Sequence, residues 1–139
     1  MTDSPYRERL RFVDFELQHL QTGQCRARVT LEWEPGVTFV GTWEEFGSQA
    51  AELRCAAQAT LAAMEQAVGA QRSFSLLGVK AVRAFDATVV IVSLATQAEA
   101  RTSRLVGSFI TDQAAPRGAA LAVLNATNRV LRNTVSRSE

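Results

Sequence analysis

The sequence predicts an α+β fold made of two βββα units, because one pattern occurs in it twice. Residues 40–68 read VGTWEEFGSQAAELRCAAQATLAAMEQAV and residues 105–131 read LVGSFITDQAAPRGAALAVLNATNRVL. Each has a Val-Gly pair, a hydroxyl residue and an aromatic, then a polar turn and a long Ala-rich run at helical spacing. Alternating apolar segments of strand length precede each copy. Two units too small to bury their own apolar faces should pair about a pseudo-twofold axis and share one core. The expected product is a six-stranded, mostly antiparallel sheet with two helices on one face.

Residues 1–9 are polar and carry a proline, as a flexible leader does. From Leu10 the pattern alternates through Phe12, Val13, Phe15 and Leu17, which predicts a half-buried strand with an irregularity near Phe12 and Val13. After a turn at 21–24, Cys25, Ala27, Val29, Leu31 and Trp33 alternate with Arg26, Arg28, Thr30 and Glu32, the cleanest strand in the chain. Glu34-Pro35-Gly36 is a tight turn. A third strand over 37–43 leads through a loop to Ser48, a candidate N-cap. Leu53, Ala57, Leu61, Met64 and Val68 then line one helix face, and Gly69 is placed for a left-handed C-cap.

In the second unit Leu77, Val79 and Ala81 take the places of Val13, Phe15 and Leu17. Phe85-Asp86 makes the turn. Residues 88–95, TVVIVSLA, match the cleanest strand, Val92 for Val29 and Leu94 for Leu31, but are apolar on both faces. Such a strand lies mid-sheet or under a partner, so Val90, Val92 and Leu94, with Arg26 and Arg28 on the matching strand, are the candidate interface. A polar hairpin loop over 96–103 precedes a strand over 104–110. Thr111 and Asp112 offer caps, and Pro116 suits a first helical turn. Leu121, Leu124, Leu131 and Val135, with Ala120 and Val130, form the helix stripe, while Gly118 marks a close helix–sheet contact. Residues 136–139 read as a flexible tail. The whole is one domain, 10–135, in repeats 10–69 and 74–135.

Composition narrows the function. The 139 residues are 47% hydrophobic and 21% charged, with 15 basic against 14 acidic side chains and a net charge of +1. A near-neutral chain without a basic run lacks the footprint of a phosphate-backbone binder. No apolar stretch approaches the roughly 20 residues of a membrane helix, and no secretory signal begins the chain, so a cytoplasmic protein is expected. Two cysteines without a CxxC and one histidine offer no metal-ligand set, and no cofactor is expected.

The doubled unit, with Gly107, Thr111 and Asp112 followed by Leu124, Asn125, Ala126, Asn128 and Arg129, resembles the C-terminal regulatory domain of 2-isopropylmalate synthase. That domain has two βββα units, dimerises and binds leucine as a feedback inhibitor. The resemblance implies the same fold, a homodimer and a small amino-acid-like ligand. After Gly107 the chain has Ser108, Phe109 and Ile110 where the family's turn carries a second glycine. The synthase's catalytic barrel, on the order of 250 residues, has no counterpart, so a free-standing regulatory unit is expected.

The two strand-to-helix turns are the candidate ligand site: Gly41, Thr42 and Ser48 in one, Gly107, Ser108, Thr111 and Asp112 in the other. Exposed N–H groups at helix starts favour a carboxylate, and Asp112 or Glu45 would take an amino group. The competing reading is that Ser48 and Asp112 only cap helices. Asn125, Asn128 and Arg129 are either a polar handle or partners of the last helical carbonyls. Arg26 and Arg28 beside Trp33 would suit an RNA- or ribosome-associated face, the alternative function. His19 lacks a neighbouring nucleophile, Cys55 reads as a small core residue with a disulfide to Cys25 as the alternative, and Trp33 and Trp43 read as plugs at the core edge. The expectation is therefore a non-catalytic regulatory or interaction module, homodimeric, for a small amino-acid-like ligand or a partner protein.

Overall fold

The computed structural model describes residues 10–69, 72–98 and 100–137, and the side chains of all of these except Ala98, Arg129 and residues 131–137. The expected leader over 1–9 lies outside the described residues, as do 138–139 of the tail and the side chains of Leu131 and Val135 in the helix stripe. Elements follow in the order β1 (Arg11–His19), β2 (Gln24–Glu34), β3 (Val37–Phe46), α1 (Gln49–Val68), β4 (Ser73–Ala84), β5 (Ala87–Ala98), β6 (Arg101–Thr111) and α2 (Ala115–Arg137). The expected α+β order, βββα twice, is the observed one.

The strands do not form one sheet. They pair as two antiparallel three-stranded sheets, β1-β2-β3 and β4-β5-β6. Each helix touches both: α1 packs on β2 and β3 and also on β4, while α2 packs on β5 and β6 and also on β1. The helices therefore lie side by side between the sheets rather than on one face of a single sheet. That explains their composition. Ala51, Leu53, Cys55, Ala56, Ala57, Ala59, Thr60, Leu61, Ala63 and Met64 of α1 are all buried, far more than one stripe. A helix covered on most sides reads as apolar and small nearly all round.

Contacts between the helices run along matching positions. Leu53, Ala56, Val90 and Ala119 share one buried cluster, and the Thr127 hydroxyl lies 3.5 Å from Met64 Sδ. Ala56 and Ala119, like Met64 and Thr127, hold corresponding places in the two units, so the helices run parallel.

The sheets share one register. Val29 faces Gly41 across β2 and β3, and Val92 faces Gly107 across β5 and β6. The register slips between Phe12 and Asp14 in β1 and between Leu76 and Gly78 in β4, which makes Val13 and Leu77 the extra residues of two matching bulges. The expected irregularity near Val13 is one of them.

Gly41 and Gly107 set how close the helices come. A Cβ on Gly41 would lie 2.1 Å from the carbonyl oxygen of Ala59 and 2.4 Å from the nitrogen of Ala63. One on Gly107 would lie 2.2 Å from the carbonyl oxygen of Ala122 and 2.7 Å from the Cβ of Ala126. Helix backbone rests directly on strand backbone in both places. Gly118 allows a close approach from the helix side, where a Cβ would meet the Val90 side chain, Cγ2 at 3.0 Å.

Ends differ from expectation in detail. β3 continues through the expected loop to Phe46, and β5 and β6 run nearly to the hairpin tip, replacing the loop expected over 96–103. Ser136 and Arg137 belong to α2 rather than to a loose tail. Phe85 and Asp86 turn the β4–β5 hairpin with φ of 54° and 59°, the left-handed pair such a two-residue turn requires. Ser48 precedes α1 without a side-chain cap bond, and Gly69 takes φ 68° with ψ −147°, a glycine conformation outside the left-handed helical region.

Gly41→Ala and Gly107→Ala should each lower the unfolding free energy by about 3 kcal/mol or more, since helix backbone cannot step aside as a rotamer can. Gly78→Ala, with open space at its Cβ, should change it by less than about 1 kcal/mol. Urea unfolding of the three variants checks the contrast.

Candidate functional site

Side chains alternate along each strand, so every sheet has one face on the helices and one turned outward. Sheet β1-β2-β3 presents Glu16, Gln18, Arg26, Arg28, Thr42 and Glu44 around an open depression of about 540 Å³. Arg26 Nε donates to Glu44 Oε2 at 2.6 Å across the β2–β3 pair. The two arginines expected to form an RNA-binding face thus sit among carboxylates, one of them ion-paired, and no aromatic ring lines the depression.

The other outer face carries an apolar patch. Val82, Val89 and Ile110 lie side by side across β4, β5 and β6, followed by Lys80, Ile91 and Ser108, then Gly78, Ser93 and Val106. Ile110 is 67% exposed and Val106 52%. The β5 residues expected at an interface are therefore not on the surface. Val90, Val92 and Leu94 are fully buried against the helices, and Val89 and Ile91 carry the open side. The signal was present in the match of Val92 to Val29, which sets Ile91 opposite the outward Arg28 and Val89 opposite the outward Arg26.

The strand-to-helix turns do not gather into a ligand site. Gly41 and Gly107 are filled by helix backbone. Thr42 and Ser108 point outward on different sheets, pairing with Arg28 and Ile91. Thr111 is buried, its Oγ1 accepting the Gln113 N–H at 2.9 Å, and α2 begins only at Ala115, so neither Thr111 nor Asp112 caps it. Glu45 is engaged on both oxygens, by Arg54 Nε at 2.9 Å and Trp43 Nε1 at 3.1 Å.

Asn125, Asn128 and their neighbours on α2 are braces in this fold. Asn125 Nδ2 donates to the Ser108 carbonyl at 2.8 Å. Asn128 clamps the Leu10 backbone, Oδ1 accepting its N–H at 3.0 Å and Nδ2 donating to its carbonyl at 3.2 Å. Leu124 is core, Ala126 lies against Gly107 and Thr127 faces Met64. These side chains reach neighbouring strands and the other helix, not the last carbonyls of their own helix; Thr127 alone also bonds back to Val123. The Arg129 side chain lies outside the described ones.

Where the two helices start, Gln49, Glu52, Leu53, Ala81, Arg83, Thr88, Ala115 and Pro116 enclose a smaller depression of about 300 Å³. His19 at the end of β1 bonds Glu52 across its rim, Nε2 to Oε2 at 2.6 Å. Behind it Cys25 on β2 and Cys55 on α1 meet inside the core, sulfur to sulfur at 3.2 Å. Among the described residues no group of three or more His, Cys, Asp or Glu side chains could hold a metal ion, and no helix is long and apolar enough to cross a membrane.

No model of a known protein family matches the chain, and no curated protein does.

Burial, then the Cys25 thiol and the Glu45 carboxylate, push the Cys55 thiol from 9.0 up to about 12. The fold favours the neutral thiol, so this contribution is complete below the unfolded value and is lost as pH rises from 9.0 toward about 12. Urea midpoints measured across that window should fall more steeply for the wild type than for Cys55→Ala.

Proposed function

We propose that this chain is a non-catalytic interaction module of the cytoplasm that pairs with a second copy of itself through the outer face of β4-β5-β6. The observation that carries the reading is the contrast between the two outer faces. Arg26, Arg28 and Glu44 stand on one sheet where Val89, Ile91 and Ile110 stand on the other, and the Arg26–Glu44 pair occupies the place of the Val89–Ile110 pair. The first sheet accommodates charges at these places, so folding does not demand apolar side chains there. A contiguous apolar face that the fold does not need is a docking surface. Lys80 and Arg104 flank it as a polar rim, which suits an isologous dimer better than a buried core.

The twice-used βββα order and the Leu124-to-Arg129 motif support a likeness to the regulatory domain of 2-isopropylmalate synthase. For an amino-acid-like ligand, the depression at the helix starts is better suited than the turns, with Arg83 to meet a carboxylate, Glu52 an ammonium, and Leu53, Ala81 and Ala115 as an apolar wall.

Sedimentation velocity at micromolar concentration should give twice the chain mass for the wild type. Ile91→Asp, which places a charge at the centre of the face, should weaken association by about 100-fold or more. Thr42→Asp on the other sheet should leave it unchanged. A monomeric wild type, or an Ile91→Asp dimer, contradicts the dimer reading. A thermal shift unmoved by millimolar leucine, isoleucine or valine removes the ligand and leaves the dimer standing.

A further inference from the structure

We propose that Cys25 and Cys55 form an oxidative modification site, closing as an intramolecular disulfide between β2 and α1 when a peroxide reaches them. The chain has two cysteines, far apart in sequence, and the fold brings them together. Both are free and buried, with Sγ atoms 3.2 Å apart. A disulfide needs about 2.05 Å, so the sulfurs must approach by roughly 1.1 Å. Only small side chains flank the pair: Ala51 and Ala59 lie one turn of α1 to either side of Cys55, and Ala27 follows Cys25 on the same face of β2.

The chemistry closes with hydrogen peroxide as the only co-reactant. One thiolate attacks a peroxide oxygen and becomes a sulfenic acid as hydroxide leaves. The second sulfur then attacks the sulfenic sulfur, the S–S bond forms and the S–O bond breaks, and two thiols plus one peroxide have become one disulfide and two waters. Burial and the suppressed ionisation of Cys55 make the folded protein slow to react with peroxide. The bond ties the middle strand of one sheet to the helix that both sheets share. It needs no partner and is independent of the dimer.

Wild-type protein is treated with hydrogen peroxide, denatured without reductant, alkylated and weighed. Before treatment it should take up two alkyl groups; afterwards none, with the Cys25 and Cys55 peptides joined and dithiothreitol restoring both sites. The thermal midpoint of the treated protein should rise by about 10 °C. Cys25→Ser, treated alike, should form no intramolecular cross-link. Continued uptake of two alkyl groups, oxygen retained on either cysteine, or a disulfide between chains each overturns the proposal.

Discussion

Everything in this fold depends on how closely two helices lie on two sheets. At Gly41 and Gly107 the strand offers no side chain, and the backbone of α1 or α2 occupies the space a Cβ would need. Ala59, Ala63, Ala122 and Ala126 stand opposite, so the approach is made by the smallest residues on both sides. Helices lowered this far can be covered from the other side as well. Leu53 and Ala56 accordingly pack with Val90 and Ala119 of the second unit, and Thr127 meets Met64 at the helix–helix contact. Neither unit owns a complete core: most buried residues of both, from Leu10 to Ala126, form one cluster.

A core sealed from both sides leaves the outer faces free to differ. One carries an ion pair at 2.6 Å between Arg26 and Glu44, and the other a row of Val82, Val89 and Ile110. Exposed ion pairs contribute little to stability, on the order of 1 kcal/mol or less, so neither face is what holds the fold. Their polarity is available for recognition, and the apolar one is where a second chain would gain most by covering.

Much of this was legible in the sequence because the duplication supplies an internal comparison. Strand number, the bulge at Val13, the Phe85-Asp86 turn and the close packing at Gly118 follow from period and from residues with one conformational use. The division into two sheets did not follow. A strand pattern says which face is apolar, not whether Leu17 and Val79 belong to one sheet or to two facing each other. The clue was in the helices, since Cys55, Ala56, Ala59, Thr60 and Ala63 fall outside the single stripe through Leu53, Leu61 and Met64, and all are buried. The candidate ligand residues misled for a related reason. Gly41 and Gly107 look like room for a ligand when the helix is imagined elsewhere, and Asn125 and Asn128 look like handles until Ser108 and Leu10 are beside them.

The two units cannot unfold separately, because each helix is shelter for both sheets. Native-state hydrogen exchange across a denaturant series tests it most directly. The amides of α1 and α2 should exchange with one common free energy, equal to that of global unfolding. Exchange of either helix, with its own sheet, at a distinctly lower free energy than the other would mean two separable cores and would contradict the account.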